Sequence, residues 1–348
     1  MKAWVLQSNG QIEYTDFENP TIMADEVLVE VKAAGICGSD IPRIYNNGAY
    51  FYPLITGHEF SGQIEAVGIN VDTKWQGKRV GVFPLIPCKE CIPCRNKNYE
   101  MCRKYNYLGS RCNGGFAEYV TVPEENIIEL PDNVSFEQSA MLEPMAVAVH
   151  AIRKINIKST DRIAVCGLGT IGILIVMFLI EQGIKEIYVI GNKDIQRETV
   201  LKLGIEEDNY CNANKTDVNQ WLKDKSCNYG FDVFFECVGK NETVTQALDN
   251  SAPAGRVMLV GNPYGDMILN KSDYWKILRH QLTVTGTWNS SFTHDINDDW
   301  HYVLNKLENG RIAPEMIITH KYNFFELNKG LHLMRDKTEP YTKVMSVL

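Results

Sequence analysis

The sequence predicts an α/β protein with a doubly wound parallel sheet, and three observations carry that prediction. Strand-like and helix-like segments alternate from residue 160 to residue 287. One strand runs directly into a glycine turn and an apolar helix between Asp161 and Gly183. The chain has 348 residues, 45% hydrophobic and 22% charged, which fits an ordinary globular protein of about two domains.

The opening MKAWVLQSNGQIEYTDF has no apolar h-region, so no secretory signal is expected. The formal net charge of −8 and the lack of a long basic run argue against nucleic acid or an anionic membrane as the main partner. Ten cysteines are too few for a disulfide scaffold of this length. With no signal in view, a reducing cytoplasm is the expected compartment.

Four of those cysteines cluster as C-x2-C-x2-C-x7-C at Cys88, Cys91, Cys94 and Cys102. Zinc takes four thiolates at tetrahedral corners, each sulfur about 2.3 Å from the ion, and short x2 loops can deliver them. Pro87 and Pro93 stiffen those turns. The alternatives are two disulfides, which the expected compartment opposes, a redox C-x-x-C pair, or an iron–sulfur cluster. Spacing favours structural zinc. A site closed by four cysteines keeps no open coordination position, so it would hold structure and not perform chemistry.

Cys37 in GICGSDIPR, His58 in TGHEFSG and Glu143 in LEP supply a thiolate, an imidazole and a carboxylate. Three mixed ligands leave one position for water or substrate, which is how catalytic zinc is built. Their wide separation makes spacing poor support. Cys37 alone reads as a small core residue, and His58 alone as a core or surface histidine. Glu143, in the apolar run AMLEPMAVAVHA, needs a partner if buried.

Ile163–Cys166 reads as a buried strand, followed by G-x-G-x-x-G at Gly167, Gly169 and Gly172 and an apolar helix over 173–180. Gly167, Gly169, Thr170, Ile171 and Gly172 form the expected turn for a dinucleotide pyrophosphate at a helix N-terminus. The eighteen uncharged residues from Ile163 to Ile180 match the length of a minimal membrane span, but the glycines and unanchored flanks favour strand, turn and helix. Further strands are expected at 186–190, 231–237, 256–260 and 282–286. The second should end in an acid that accepts hydrogen bonds from the adenosine ribose of NAD. Gly191 stands there instead, and Asp194 comes three residues too late. Gly191 removes a charge that would repel a 2′-phosphate, while Asn192, Lys193 and Arg197 can offer donors to one. This charge logic favours NADP(H) over NAD(H). The bland alternative is a surface turn with scattered charges.

GHEFSG-x-I-x-x-V-G from Gly57 to Gly68, the four-cysteine lobe, GGFAEY at 114–119 and GLGTIG together resemble the zinc-containing medium-chain alcohol dehydrogenases, over nearly the whole chain and in the right order. LEP, with Glu143 where the simple alcohol enzymes use cysteine, is similar to the polyol branch. CGSDIPR, NNGAYFYP and YLGSRCNGGFAEY are most similar to its members that act on a polyol phosphate. The resemblance implies a GroES-like β-rich catalytic domain of residues 1–155 and 288–348 and a Rossmann domain of residues 156–287, with the active site in the cleft. It implies two zinc ions per chain. Catalytic zinc would sit on Cys37, His58 and Glu143, with Glu59 an occasional or alternative ligand, and structural zinc on Cys88, Cys91, Cys94 and Cys102. Zinc would lower the pKa of a secondary alcohol, Ser39 would accept its proton, and hydride would pass to the nicotinamide. Asp40 would orient His58.

A homodimer or homotetramer is expected from the same resemblance. Many relatives carry a proton-relaying histidine where this chain has Pro42, so the proton must leave by another route. Arg43 and Arg111 are expected phosphate contacts, since an arginine fork suits phosphate; the alternative is that each pairs with a carboxylate or is solvated. Trp288, Asn289, Tyr50, Tyr52 and Phe116 are further pocket candidates. The competing functions are a dehydrogenase of free polyols or small secondary alcohols and a non-catalytic NADP(H)-binding protein.

Overall fold

The computed structural model describes residues 1–263 and 265–348. They form two compact units, Met1–Pro144 with Ser291–Leu348, and Met145–Ser290.

The first unit is built on a seven-stranded sheet. Its order is Ile127–Glu129, Arg79–Val82, Glu59–Val67, Glu26–Ile36, Lys343–Val347 and Ile318–Asn323, with Tyr119–Pro123 also paired to Glu26–Ile36. All pairs are antiparallel except the last two strands of that path. Along EVLVEVKAAGI, alternate residues are buried, with Val27, Val29 and Val31 pointing to the core. Each such side chain contributes about 1.5–3 kcal/mol on full burial. From Ala33 onward both faces are buried. There Gly35 pairs with Glu59 on one side and Met345 on the other. A Cβ at Gly35 would land on the Glu59 carboxylate and lie 2.9 Å from Lys343 Cε. Glycine is therefore what lets three strands converge where Cys37, His58 and Glu59 emerge.

The second unit holds a six-stranded, wholly parallel sheet. Its order is Tyr210–Asn212, Ile187–Gly191, Ile163–Cys166, Phe231–Glu236, Ser251–Leu259 and Thr283–Gly286, the doubly wound order 3-2-1-4-5-6. The expected doubly wound sheet is thus present, with one strand the sequence pattern missed. Tyr210–Asn212 is three residues long, too short to show periodicity, and is defined by its pairing with Val189–Gly191. The long uncharged run resolves into the strand Ile163–Cys166 and the helix Thr170–Glu181. Among the described residues no helix is long and apolar enough to cross a membrane.

Candidate active site

Sheet register assembles the first site. Cys37 follows the strand Glu26–Ile36, and His58 directly precedes the neighbouring strand Glu59–Val67, which Glu59 opens. Donor atoms of Cys37, His58 and Glu59 all lie within 4.8 Å of one another. His58 and Glu59 are buried, and His58 Nδ1 has no hydrogen-bond partner. With Nδ1 turned toward Asp40, Nε2 is left to a metal, and an imidazole, a thiol and a carboxylate this close together fit a zinc ion. Burial alone pushes the His58 imidazole down, but the charges of Asp40 and Cys37 pull it up, and the net is upward. Asp40 is fully buried and lies 3.5 Å from His58 Nδ1, an electrostatic contact and not a hydrogen bond. It accepts from the Cys37 N–H at 3.0 Å and from Arg43 Nη1 at 2.9 Å. Burial would raise its carboxyl, yet His58 and then Arg43 hold it below the usual range. The Ser39 hydroxyl donates to Cys37 Sγ at 3.3 Å, so it stands beside the metal-capable set.

The two glutamates differ from expectation. Glu59, expected only as an occasional or alternative ligand, is the carboxylate in the mutually close set; Glu143 is outside it. The reason is placement. Glu59 shares the converging strands with Cys37, whereas Glu143 sits in the first turn of the helix Leu142–Lys154. Glu143 is buried and accepts a hydrogen bond from the Tyr107 hydroxyl at 3.1 Å. Burial raises its carboxyl to about 7. The Tyr107 ring lies 5.6 Å from that of His58. Glu59 in turn forms a buried ion pair with Lys343, whose Nζ also donates to the Ile36 carbonyl at 3.1 Å. Sequence reasoning missed both supporting residues. Tyr107 opens the quoted stretch YLGSRCNGGFAEY, so a signal existed; Lys343, in an unremarkable C-terminal strand, offered none.

Arg43, expected to meet a phosphate, is drawn instead to Asp40. Arg111 is held differently. Its guanidinium lies 4.1 Å from the Tyr105 ring centre and 5.0 Å from that of Tyr50, and donates to the Tyr105 carbonyl at 3.1 Å. Among the described residues no carboxylate pairs with it. Tyr105 meets Tyr107 edge-on at 6.2 Å, so aromatic contacts lead from Arg111 to His58. Phe116 is core, packed against Gly57.

The four-cysteine lobe is a second metal-capable set. Its sulfurs stand 3.4 Å (Cys91 to Cys94), 3.9 Å (Cys91 to Cys102) and 4.0 Å (Cys88 to Cys94) apart. A tetrahedron with Zn–S near 2.3 Å has edges of about 3.8 Å, while a disulfide needs about 2 Å. All ten cysteines are free thiols. Backbone N–H groups, first that of Arg103, pull the Cys91 thiol down to about 6, while burial pushes the neighbouring Cys94 thiol up to about 12, so a metal bound here would have to displace the Cys94 proton. A cavity of about 460 Å³ elsewhere in this unit, lined by Trp75, Glu124, Glu125, His294 and His301, includes none of these donors. Donor chemistry, not cavity size, locates the site.

In the second unit Gly167 has φ of 98°, and a Cβ on Gly172 would strike the Gly167 carbonyl. A Cβ on Gly169 would meet nothing within 4 Å. That open space caps the helix Thr170–Glu181 and fits a closely approaching pyrophosphate. Gly191 ends its strand as expected, with Asn192 and Lys193 leading into the helix Asp194–Lys202. Arg197, expected as a donor to a 2′-phosphate, already has a partner. Its fork is engaged by Glu207, which the unpredicted strand Tyr210–Asn212 brings alongside.

The chain matches the alcohol dehydrogenase GroES-like domain over residues 23–132 and the zinc-binding dehydrogenase domain over residues 170–309. It is 32% identical over 326 residues to galactitol 1-phosphate 5-dehydrogenase of Escherichia coli K12, covering 93% of each chain. It is 31% identical over 269 residues to sorbitol dehydrogenase of Bacillus subtilis 168, covering 76% of this chain and 75% of that one. The crystal structure of Escherichia coli galactitol-1-phosphate dehydrogenase aligns with a TM-score of 0.92 and 31% identity, covering both chains fully. A zinc-binding dehydrogenase of Sinorhizobium meliloti 1021 bound to NADP aligns at 0.90 with 26% identity, covering 100% of this chain and 99% of that one. An alcohol dehydrogenase of Escherichia coli CFT073 complexed with NADH aligns at 0.91 with 28% identity and the same coverage.

Proposed function

The chain belongs to the zinc-binding alcohol dehydrogenase family and is an oxidoreductase acting on CH–OH, and from that premise we propose that it exchanges a hydride between NADP(H) and a secondary hydroxyl or ketone of a polyol phosphate. The observation that carries the chemistry is the close set of half-buried Cys37 with buried His58 and Glu59, with Glu143 one hydrogen bond from Tyr107 beside it. When bound there, zinc supplies a Lewis acid that makes a hydroxyl more acidic, and the nicotinamide supplies the hydride carrier. Ser39 takes the hydroxyl proton at Oγ. Asp40, itself held by Arg43, keeps the His58 ring in place. Ser39 releases its own hydroxyl proton as it takes the alcohol's; Pro42 cannot carry it, and the Glu143 carboxyl, raised by burial to about 7, is the group we assign to pass it onward, since Glu59 is paired with Lys343. The second zinc belongs to Cys88, Cys91, Cys94 and Cys102 and holds that lobe together.

Two observations support the finer substrate and cofactor choices. Arg111 is a cation held between two tyrosines, with no carboxylate partner among the described residues, and it suits a phosphate. Gly191 leaves the strand end without the acid that favours NAD. The free-polyol reading has its own support, since Arg43 is committed to Asp40. A homodimer or homotetramer in a reducing cytoplasm completes the proposal; the free thiols of all ten cysteines agree with such a compartment.

The test is a panel of phosphorylated polyols, free polyols and simple 2-alcohols, run with both cofactors alongside metal analysis. Two zinc ions and the highest kcat/KM for a phosphorylated polyol with NADP are expected. One zinc per chain overturns the metal assignment. A free polyol as best substrate, unaffected by Arg111→Gln, overturns the phosphate reading.

A further inference from the structure

Arg197 stands one turn into the helix Asp194–Lys202, just past the strand end where the ribose-binding acid is missing. Its Nε donates to Glu207 Oε1 at 2.7 Å, and its Nη2 donates to Glu207 Oε2. Glu207 opens the short turn Glu207–Asn209, and the next strand, Tyr210–Asn212, pairs in parallel with Ile187–Gly191. Glu207 therefore brings an acid to Arg197 from the turn that leads into the neighbouring strand, three residues before Tyr210, which pairs with Val189. The backbone donors here are also occupied, since the N–H groups of Asn192 and Lys193 both donate to Gln196 Oε1, at 2.9 and 3.2 Å.

We propose that Glu207 sets cofactor specificity by competing with the 2′-phosphate of NADP for the Arg197 guanidinium. The inference rests on the NADP(H) reading above. Arg197 and Glu207 are both solvent-accessible, with side-chain exposures of 39% and 57%, so their pair is weak and exchangeable. A phosphate presents nearly two charges and three acceptor oxygens, a stronger match for the fork than one carboxylate. NADP binding then requires Arg197 to turn from Glu207 to the phosphate, at the cost of that pair. NAD has no 2′-phosphate and leaves the pair undisturbed. Glu207 thus lowers affinity for NADP alone and narrows the gap between the two cofactors.

The experiment titrates zinc-loaded protein with NADPH and with NADH at one ionic strength, following nicotinamide fluorescence, for wild type, Glu207→Gln, Arg197→Gln and the double variant. Matching thermal melts check folding. Glu207→Gln is expected to tighten NADPH by about 3- to 10-fold and leave NADH within about 2-fold. Arg197→Gln is expected to weaken NADPH by about 10-fold or more. The double variant is expected to match Arg197→Gln, because Glu207 acts through Arg197. An unchanged NADPH affinity in Glu207→Gln, an equal gain for NADH, or a double variant that keeps the gain overturns the inference. The NADP reading survives any of these if Arg197→Gln still weakens NADPH selectively. A wild type that prefers NADH, with Arg197→Gln affecting neither cofactor, overturns both.

Discussion

Replacing Gly191 by aspartate restores an acid at the tip of the second strand of the parallel sheet, and the surroundings set its effect. A Cβ at Gly191 would lie 2.9 Å from Gln196 Oε1, 2.9 Å from Leu168 Cδ1 and 3.2 Å from Tyr210 Cε2. The two closest atoms are side-chain ends that can rotate away. Moving Gln196 breaks its two bonds to the Asn192 and Lys193 N–H groups. With those bonds at about 1 kcal/mol each and modest overpacking, the stability loss is about 1–3 kcal/mol. The charge effect is larger. At roughly 5 Å two unit charges repel by about 0.8 kcal/mol in water and about 3 kcal/mol at an effective dielectric of 20. A 2′-phosphate carries nearly two charges, so NADP loses at least about 10-fold in affinity, while a ribose hydrogen bond to a carboxylate favours NAD by about 1.5–3 kcal/mol. The ratio of kcat/KM for NADP over NAD should therefore fall by about 100-fold or more. Initial rates with both cofactors, plus melting curves, measure it. Gly191→Ala adds the same Cβ without charge and should leave the ratio nearly unchanged. A wild type that already prefers NAD strongly, or an alanine variant that shifts the ratio as far as aspartate does, refutes the reasoning.

Cys37→Ser should abolish turnover and lower the metal content from two zinc ions to one, with the Cys88–Cys102 lobe still loaded; retention of both ions or of activity counts against the assignment. Cys94→Ser should instead lose the other ion and reduce the melting temperature, because the four sulfurs enclose one site. Lys343→Met leaves the Glu59 carboxylate buried without its cation. The loss should be about 3–5 kcal/mol in zinc-stripped protein by denaturant titration, and a loss below about 1 kcal/mol would show that the pair matters little. Tyr107→Phe removes the hydroxyl that donates to Glu143. Zinc affinity, read by competition with a chelator, should fall by about 10- to 100-fold if Tyr107 positions a carboxylate the metal uses; unchanged affinity would confine Tyr107 to a packing role.

Local signals made much of this protein readable in its sequence. The glycine turn is a short-range pattern: the close approach of Gly172 to the Gly167 carbonyl is settled within six residues of chain. The cysteine lobe is likewise local, and C-x2-C-x2-C spacing alone brings sulfurs to tetrahedral separations. The strand Ile163–Cys166 announces itself as a short apolar run ahead of the glycine turn. Tyr210–Asn212 does not, because three residues carry no period and the strand exists only through its neighbour.

What tertiary structure alone decided is which partner each charged group takes. Register across converging strands, not sequence spacing, put Glu59 with Cys37 and His58 and left Glu143 to Tyr107. Tertiary packing likewise set Arg111 between two tyrosines, Arg197 on Glu207 and Glu59 on Lys343, whereas Arg43 meets Asp40 three residues away in one helix. The sequence by itself determined the fold class, the glycine turn and the cysteine spacing, because those follow from backbone periodicity and short-range sterics. The pairing of charges depends on distances of a few ångströms between residues up to 284 positions apart, and Coulomb and hydrogen-bond energies at that range are set only when the chain is folded.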